Sequence, residues 1–227
     1  MSVLLIGGLG SIGSRYRAIL ESFKIPYEIY DYHTGILSTT KGETNLANIK
    51  FSRAIICTPT DTHVTYCKML EPLKKPYLCE KPLSKDLDEA NEVAKFKYGY
   101  MVCNYKLLFQ FMANRGHIVY DYFRTGKDGL LWDCCQLIYL DPLACVNNES
   151  PLFRLHVHNS YDEYDCFGEI PFHLVERSYL FMIRDFVDGE FQNLWTLEDG
   201  IAMTEAVLRR IKSEQSLGRH SSPLCIH

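Results

Sequence analysis

A glycine-rich turn near the start of the chain constrains the fold more than any other feature. Residues 4–16 read LLIGGLGSIGSRY, in which Gly8, Gly10 and Gly13 match the spacing G-x-G-x-x-G. An apolar run precedes the turn, as is typical of a strand buried on both faces. A helical pattern follows it, with one apolar face made of Ile12, Tyr16, Ile19 and Leu20. The sequence therefore predicts a strand, a tight turn and a helix.

Each glycine of this turn has a predicted role in holding a dinucleotide. Gly8 would allow the tight turn, Gly10 would let the backbone approach a diphosphate, and Gly13 would let the helix pack closely on the strand. The exposed N–H groups at the start of the helix, at Ser11 and Ile12 among others, and the helix dipole favour an anion. The alternative is a glycine-rich turn that binds no ligand.

An acidic residue follows the second predicted strand, where ribose contacts are made in such folds. Asp31 ends the segment YEIYD, eighteen residues after Gly13. Its carboxylate can accept hydrogen bonds from both ribose hydroxyls of NAD and would repel the 2′-phosphate of NADP. The next nine residues contain no Arg or Lys to neutralise that phosphate, so NAD is the expected cofactor and NADP the alternative. Asp31 could instead be an exposed turn residue.

Strand-like and helix-like segments alternate over the first hundred residues. The predicted strands lie in SVLLIG, PYEIYDY, RAIICTP, PYLCEKP and GYMVCNY. This alternation predicts an α/β fold, with an N-terminal Rossmann domain built on a doubly wound parallel sheet over residues 1–105. A helix is expected after PYLCEKP, with Ser84 as its N-cap.

Residues 106–227 are predicted to form a smaller α+β domain for substrate binding and oligomerisation. LLWDCCQLIYL, LFRLHVHNSY and YDCFGEI are interpreted as strands, and LLFQFMANRGHIVYDYFRTG as mostly helical. Two helices close the fold, the second preceded by a capping pair of Thr196 and Asp199. The tail from about Ser216 is expected to be loose. A homodimer through the C-terminal sheet is a further expectation.

Composition excludes several classes of protein. The 227 residues are 47% hydrophobic and 23% charged, which is ordinary for a globular protein, and the net charge of −4 does not suit a nucleic-acid partner. No run reaches the roughly 18 apolar residues of a membrane span, and the N-terminus lacks a basic leader and a cleavage site. The nine cysteines contain no C-x-x-C pair. We expect no metal site, no membrane partner and a reducing, cytoplasmic location.

Two further motifs, together with the glycine turn, give the sequence a specific resemblance to one known family. TPTDTH follows the third predicted strand, and EKP, residues 80–82, follows the fourth. With the glycine turn, they resemble the Gfo/Idh/MocA family, mainly NAD(P)-dependent dehydrogenases and reductases of sugars, inositols and related compounds, together with biliverdin reductases. VCNYKLLF resembles the family's Asn-x-Arg-Phe stretch, with Lys106 at the usual Arg. YLFMIRDFVDG and WTLEDGIAMTEAVLRRI resemble its C-terminal helices.

The resemblance implies roles for matching positions. Thr58, Pro59 and His63 would line the path of the cofactor, and Glu80 and Lys81 would lie near the nicotinamide. Lys81 would hydrogen-bond the reacting hydroxyl or carbonyl, because a fixed ammonium stabilises negative charge on oxygen and lysine can exchange a proton. The peptide bond before Pro82 is often cis in relatives.

The chain departs from the family in its second half. Relatives usually carry an Asp and a His about four residues apart on one helix, and this pair is missing here. His173 is the candidate for the second catalytic residue, with His156, His158 and Asp141 as weaker ones. The expected reaction is hydride transfer between nicotinamide and a secondary alcohol or carbonyl of a sugar, nucleotide sugar or polyol. A bilin or imine reductase and a non-catalytic NAD-binding protein are the alternatives.

Overall fold

A computed structural model of the protein describes residues 1–31, 45–106, 117–121, 131–140, 145–147, 154–158, 166–169 and 172–216. The chain divides into two compact units. One contains residues 1–102 with 182–201, and the other contains 103–181 with 202–227. The division of function at residue 105 stays a prediction. The described helices include none that is long and apolar enough to cross a membrane.

The first unit is built on a six-stranded sheet, as the alternating sequence pattern predicts. Five strands run parallel and the sixth is antiparallel, in the order β2-β1-β3-β4-β5-β10. The strand bounds are β1 Val3–Ile6, β2 Tyr27–Tyr30, β3 Arg53–Ile56, β4 Tyr77–Cys79, β5 Gly99–Met101 and β10 Trp195–Thr196. Every side chain of β1 is fully buried, which explains its continuous apolar sequence. The predicted doubly wound α/β fold is confirmed.

The chain order places a switch point of the sheet at β1. After β2 the chain passes to the other side of β1 and continues with β3, so connections leave β1 in opposite directions. In open α/β sheets, ligands bind outside the carboxyl ends of the strands at this point. The crevice beyond β1 and β3 is therefore where the fold favours a ligand.

Three helices connect the parallel strands: α1 Ser11–Ser22, α2 His63–Leu70 and α3 Leu87–Asn91. The prediction of Ser84 as the N-cap of α3 is wrong. Asp86 caps this helix, with its side chain accepting a hydrogen bond of 2.9 Å from the N–H of Glu89. Ser84 instead accepts from the N–H of Asp86 and donates to the Glu89 carboxylate. Two capping side chains lie close in sequence, and backbone geometry selects the one nearer the helix.

A later segment of the chain returns to this sheet. Helix α5, Phe172–Asp188, ends at Gly189, whose φ of +92° suits glycine. The Arg53 side chain donates a 2.7 Å hydrogen bond to the carbonyl of Phe186 in the last turn of α5. Strand β10 then pairs with β5, and helix α6, Leu197–Ser216, follows it. Both helices agree with the sequence predictions.

The predicted capping pair at the start of α6 is confirmed. The carboxylate of Asp199 accepts hydrogen bonds from the backbone N–H of Thr196 at 2.8 Å and from its hydroxyl at 3.0 Å. The hydroxyl in turn accepts from the N–H of Asp199 at 3.3 Å. These reciprocal bonds satisfy groups that a helix start would otherwise leave open.

The second unit contains a four-stranded sheet in the order β7-β6-β8-β9. Its strands are β6 His117–Asp121, β7 Cys145–Asn147, β8 Arg154–His158 and β9 Cys166–Glu169. β6 and β7 are parallel, and the other pairs are antiparallel. The predicted strands in LFRLHVHNSY and YDCFGEI are confirmed. The mostly helical assignment of residues 107–126 is wrong at β6.

The predicted strand in LLWDCCQLIYL is wrong as well. This segment contains helix α4, Cys135–Leu140. Cys135, Gln136, Leu137 and Ile138 are all buried, so the apolar run reflects burial on every side of a short helix. A short apolar run has no periodicity that separates a buried strand from a buried helix.

Candidate nucleotide site at the glycine turn

The glycine turn packs against the end of β3. Gly7 has a φ of +83°, a backbone conformation that L side chains rarely adopt. A Cβ at Gly7 would lie 2.7 Å from the Thr58 Cγ2 atom and 2.9 Å from the Thr58 nitrogen. The left-handed residue is therefore Gly7, one position before Gly8, to which the sequence analysis gave the tight turn. In the sequence, the adjacent pair Gly7 and Gly8 is the signal that could have indicated this alternative position for the turn.

The remaining glycines meet different surroundings. A Cβ at Gly13 would lie 2.7 Å from the Gly7 oxygen and from two Gly8 backbone atoms, which cannot swing away. A Cβ at Gly8 would lie 3.0 Å from the Leu5 Cβ. At Gly10 the nearest atom is the Gly7 oxygen at 3.5 Å, an ordinary contact. Gly13 is thus required by helix packing, whereas sterics alone do not require Gly10.

Helix α1 begins directly at this turn. Gly10 is its N-cap and offers no side chain to satisfy the first backbone N–H groups. Ser11, Ile12 and Gly13 form the first turn, and helix geometry leaves such N–H groups without intrahelical acceptors. Ser11 is exposed and Ile12 is half-buried. Open N–H groups together with the helix dipole make this end suited to an anion.

A pocket of about 120 Å³ lies beside the turn, at the carboxyl ends of β1, β2 and β3. Complete ligand sites are typically about 300–1,000 Å³, so this space suits one part of a dinucleotide. Four of its lining residues, Gly10, Asp31, Thr58 and Pro59, were predicted from the sequence to bind the cofactor. The other four, Gly7, Tyr30, Cys57 and Tyr66, were not. Burial raises the pKa of the Cys57 thiol, so this cysteine stays a neutral thiol.

The TPTDTH segment closes on itself at the end of β3. The Thr62 hydroxyl lies 2.7 Å from the Thr58 hydroxyl oxygen and 2.8 Å from the Pro59 carbonyl oxygen. These contacts reinforce a short 3₁₀ turn, Thr60–Thr62, whose backbone bond runs from the Thr62 N–H to the Pro59 carbonyl and which leads into α2. The turn presents Thr58 and Pro59 to the pocket.

His63 lies behind this turn and is only 1% exposed. Its Nδ1 atom lies 2.7 Å from the Pro82 carbonyl oxygen, and its Nε2 atom lies 2.9 Å from the Thr58 carbonyl oxygen. Both ring nitrogens therefore face backbone groups. The geometry supports a role for His63 in joining the ends of β3 and β4.

Burial lowers the pKa of His63, and this effect outweighs several that raise the pKa. The raising effects are the hydrogen bonds to the Pro82 and Thr58 carbonyls and the charges of Glu80 and Asp61. A neutral imidazole has one N–H and donates to one of the two carbonyls, whereas a protonated ring would donate to both.

The EKP segment forms a bend past β4, and the bond between Lys81 and Pro82 is cis, as the resemblance implied. Glu80 is 5% exposed. Its Oε1 atom accepts a hydrogen bond from the Tyr16 hydroxyl, and its Oε2 atom accepts one of 3.1 Å from the Lys81 backbone N–H. Lys81 itself is partly exposed. The bend thus has a buried acidic anchor and an accessible lysine.

The histidine candidates lie in the second unit. His173 is in the first turn of α5, and His156 and His158 are both in β8. Asp141 lies outside the described residues. The described residues contain no cluster of three or more potential metal-binding side chains.

Comparisons with known proteins now bear on this site. Residues 5–97 match the sequence profile of the Gfo/Idh/MocA oxidoreductase family, described as having an NAD-binding Rossmann fold. Over these residues the chain is therefore similar to the NAD-binding domain of this family. The profile spans the glycine turn, Asp31, the TPTDTH segment and the EKP bend. A search of curated proteins finds no significant match.

Solved structures of low sequence identity share the fold. A probable dehydrogenase from Thermotoga maritima aligns with a TM-score of 0.73 at 15% identity, covering 96% of this chain and 97% of that one. A myo-inositol dehydrogenase from Corynebacterium glutamicum gives 0.67 at 13%, covering 99% and 98%. The WlbA dehydrogenase from Thermus thermophilus, in complex with NAD and UDP-GlcNAcA, gives 0.66 at 14%, covering 92% and 94%.

Alanine at Gly13 should lower mainly the stability of the fold, whereas alanine at Gly10 should lower mainly the affinity for NADH. Gly13→Ala forces a methyl group against backbone and should lower the free energy of unfolding by about 1–3 kcal/mol. Gly10→Ala has room for its methyl and should change that free energy by less than about 1 kcal/mol, yet weaken NADH binding at least about tenfold by obstructing the diphosphate. Urea unfolding and calorimetry measure the two effects. Unaltered NADH affinity in Gly10→Ala would contradict this assignment.

His63 should make the fold sensitive to mild acid. The unfolded chain binds a proton at the ordinary His pKa of 6.5, and the folded chain does so only at a lower pH. Stability from this group is therefore present above pH 6.5 and is lost as the pH falls toward the lowered pKa. Between about pH 7.5 and pH 5.5, urea unfolding should show a smaller loss in His63→Asn than in the native protein. Equal losses would contradict the prediction.

Proposed function

We propose that this protein is an NAD-dependent dehydrogenase or reductase that acts on a secondary alcohol or carbonyl of a sugar, nucleotide sugar or polyol. The observation that carries the proposal is the placement of three features at the carboxyl edge of one sheet. They are the glycine turn at β1, Asp31 at β2 and the Lys81 bend at β4. The oxidoreductase family match over residues 5–97 supports the same class of reaction.

The residues of the site fit a bound NAD. Gly10 lines the pocket, and a Cβ there would meet no atom closer than the Gly7 oxygen at 3.5 Å. The start of α1, which has no side-chain cap, suits the diphosphate. Asp31 lines the adjoining pocket and would accept hydrogen bonds from ribose hydroxyls. Thr58 and Pro59 would form the opposite wall. NAD, when bound, supplies or accepts the hydride.

Lys81 is the residue we assign to the reacting oxygen. Its ammonium would hydrogen-bond the hydroxyl or carbonyl of the substrate and stabilise negative charge that develops there. The same group could hold the proton that the hydroxyl loses or gains. The buried Glu80 carboxylate fixes the backbone of Lys81 while leaving its side chain partly exposed.

The C-terminal half has its own part in the proposal. Residues 106–227 would supply contacts to the substrate, with His173 as the second catalytic candidate. The four-stranded sheet would serve association of two copies if it carries an exposed apolar face, since monomers rarely leave such patches open. Two proteins that share the fold favour this substrate class. One is named for the polyol myo-inositol, and the other, WlbA, was solved in complex with the nucleotide sugar UDP-GlcNAcA.

Turnover assays distinguish this function from its two alternatives. Purified protein is supplied with NAD and a panel of sugars, inositols and nucleotide sugars, or with NADH and bilins or cyclic imines, while absorbance at the NADH band is followed. Turnover of a sugar or polyol supports the proposal, and turnover of only a bilin or imine refutes the substrate class. NADH binding without turnover of any panel member would favour the non-catalytic alternative. The absence of the family's Asp and His pair from the sequence also supports that alternative.

Removal of the Lys81 amine should separate chemistry from binding. We expect Lys81→Met to lower kcat by at least about 100-fold, in the range typical of general acid–base groups. The Kd for NADH should stay within about twofold, because the diphosphate and ribose contacts are assigned to other residues. Lys85→Met, at an exposed lysine four residues on, is the control and should behave as the native protein. Native kcat in Lys81→Met would remove this residue from the mechanism.

Asp31 should set the preference between the two dinucleotides. Asp31→Ser removes the charge that would repel a 2′-phosphate, so the ratio of kcat/KM for NAD to that for NADP should fall by at least about tenfold. The exposed Asp88 on α3 provides the control variant, Asp88→Ser, for which the ratio should not change. An unchanged ratio in Asp31→Ser would mean that another group selects the cofactor.

A further inference from the structure

A buried carboxylate joins the nucleotide-binding helix to the lysine bend. Glu80 is 5% exposed, and Tyr16, which donates its hydroxyl hydrogen to Glu80, is fully buried. The other carboxylate oxygen accepts the Lys81 backbone N–H at 3.1 Å. One side chain therefore receives hydrogen bonds from its own bend and from Tyr16, which lies 64 residues before Glu80 in the sequence.

Tyr16 occupies a particular place on α1. It follows Gly13 by three residues, so it lies one turn beyond the glycine whose packing seats the helix on β1. The N-terminus of the same helix is the part assigned to the diphosphate. A displacement of α1 would reach the Glu80 carboxylate through a single hydrogen bond.

The bend is held from a second side. His63, at the start of α2, contacts the carbonyl of Pro82, the residue after Lys81. Glu80 and Pro82 are thus both fixed, and Lys81 lies between two anchored neighbours. His63 contacts a carbonyl beyond the lysine, whereas Tyr16 acts on the carboxylate that holds the lysine's own N–H.

The chemistry of the pair argues for more than packing. A carboxylate that leaves water loses solvation, and well-packed apolar side chains of similar volume often stabilise a core as much as or more than a buried ionic group. Glu80 instead retains two directed hydrogen bonds that specify the orientation of its two oxygens. Truncation of either donor would leave a buried acceptor short of a partner.

From this geometry we propose that Tyr16 is a positioning residue that, through Glu80, sets the backbone of Lys81 relative to the helix that binds the diphosphate. The role of Lys81 in turnover rests on the proposed function. The hydrogen-bond path from Tyr16 to the Lys81 amide does not depend on it and can be measured without substrate.

The test is amide hydrogen exchange, followed by NMR in ¹⁵N-labelled full-length protein. Tyr16→Phe keeps the ring and removes only the hydroxyl, so Glu80 loses the hydrogen bond that orients its carboxylate. The Lys81 amide, which donates to that carboxylate, should then exchange at least about tenfold faster, a factor in the range of one hydrogen bond to a charged group. The Leu5 amide in β1 should keep its rate, which shows that the fold is intact. The Kd for NADH should stay within about twofold.

A second tyrosine–glutamate pair, whose glutamate lies on the same helix, provides a matched control. The hydroxyl of Tyr27 donates a 2.6 Å hydrogen bond to the Glu21 carboxylate of α1, at an exposed position. Tyr27→Phe therefore removes the same chemical group from a tyrosine–glutamate pair remote from the bend, and the Lys81 amide should exchange as in the native protein. Equal acceleration in Tyr27→Phe and Tyr16→Phe would overturn the proposal.

Glu80→Leu supplies a second route to the same answer if Tyr16→Phe folds poorly. The leucine side chain accepts no hydrogen bond, so the Lys81 amide should again exchange at least about tenfold faster. The double variant should show less than the product of the single effects, because both residues act in one network. Native Lys81 exchange in both single variants, or acceleration that is equal at Leu5, refutes the positioning role.

Turnover completes the test once a substrate is known. Tyr16→Phe should lower kcat and leave the KM for NAD within about twofold, since an effect confined to the reacting lysine does not reach cofactor binding. Faster Lys81 exchange with no substrate in any panel would uphold the positioning claim and reject the proposed function. Unchanged Lys81 exchange in Tyr16→Phe, together with substrate turnover by the native protein, would refute the positioning role and leave the proposed function standing.

Discussion

Backbone contact at the glycine turn is the constraint on which the nucleotide site depends. Helix α1 approaches β1 so closely that a single added carbon at Gly13 would lie 2.7 Å from the Gly7 oxygen. The same glycine turn also packs against the end of β3, where a Cβ at Gly7 would lie 2.9 Å from the Thr58 nitrogen. This close approach leaves the first N–H groups of α1 at the switch point of the sheet, where an anion can reach them.

Beyond the strand ends, polar side chains form hydrogen bonds with backbone groups that no neighbouring strand satisfies. The last paired residues of β3 and β4 are Ile56 and Cys79, and one further backbone bond runs from the Glu80 N–H to the Ile56 carbonyl. The backbone past this point still needs partners. His63 contacts carbonyls in both following segments, and Glu80 accepts an N–H in one. The His63 and Glu80 side chains are buried, so they hold the lysine bend and the TPTDTH turn in defined positions without a regular element.

The sequence-based predictions were correct where a local rule applied. The apolar run of β1, the helical face of α1 and the capping pair at Thr196 each depend on residues a few positions apart. They were wrong where a local pattern has two solutions. The buried run around Cys135 forms a helix rather than a strand, and Asp86 displaces Ser84 as a cap. Strand β10 was also missed, since two residues carry no periodic signal.

The sequence by itself determined the kind of site: the glycine spacing, the acid after β2 and the EKP bend require only short-range geometry to be recognised. Only the tertiary structure decided how these parts are held together. It assigned the left-handed turn to Gly7, turned both nitrogens of His63 toward carbonyls, and paired Tyr16 with Glu80. The physical reason is that a buried hydrogen bond depends on which distant segments meet, and no local pattern encodes that meeting.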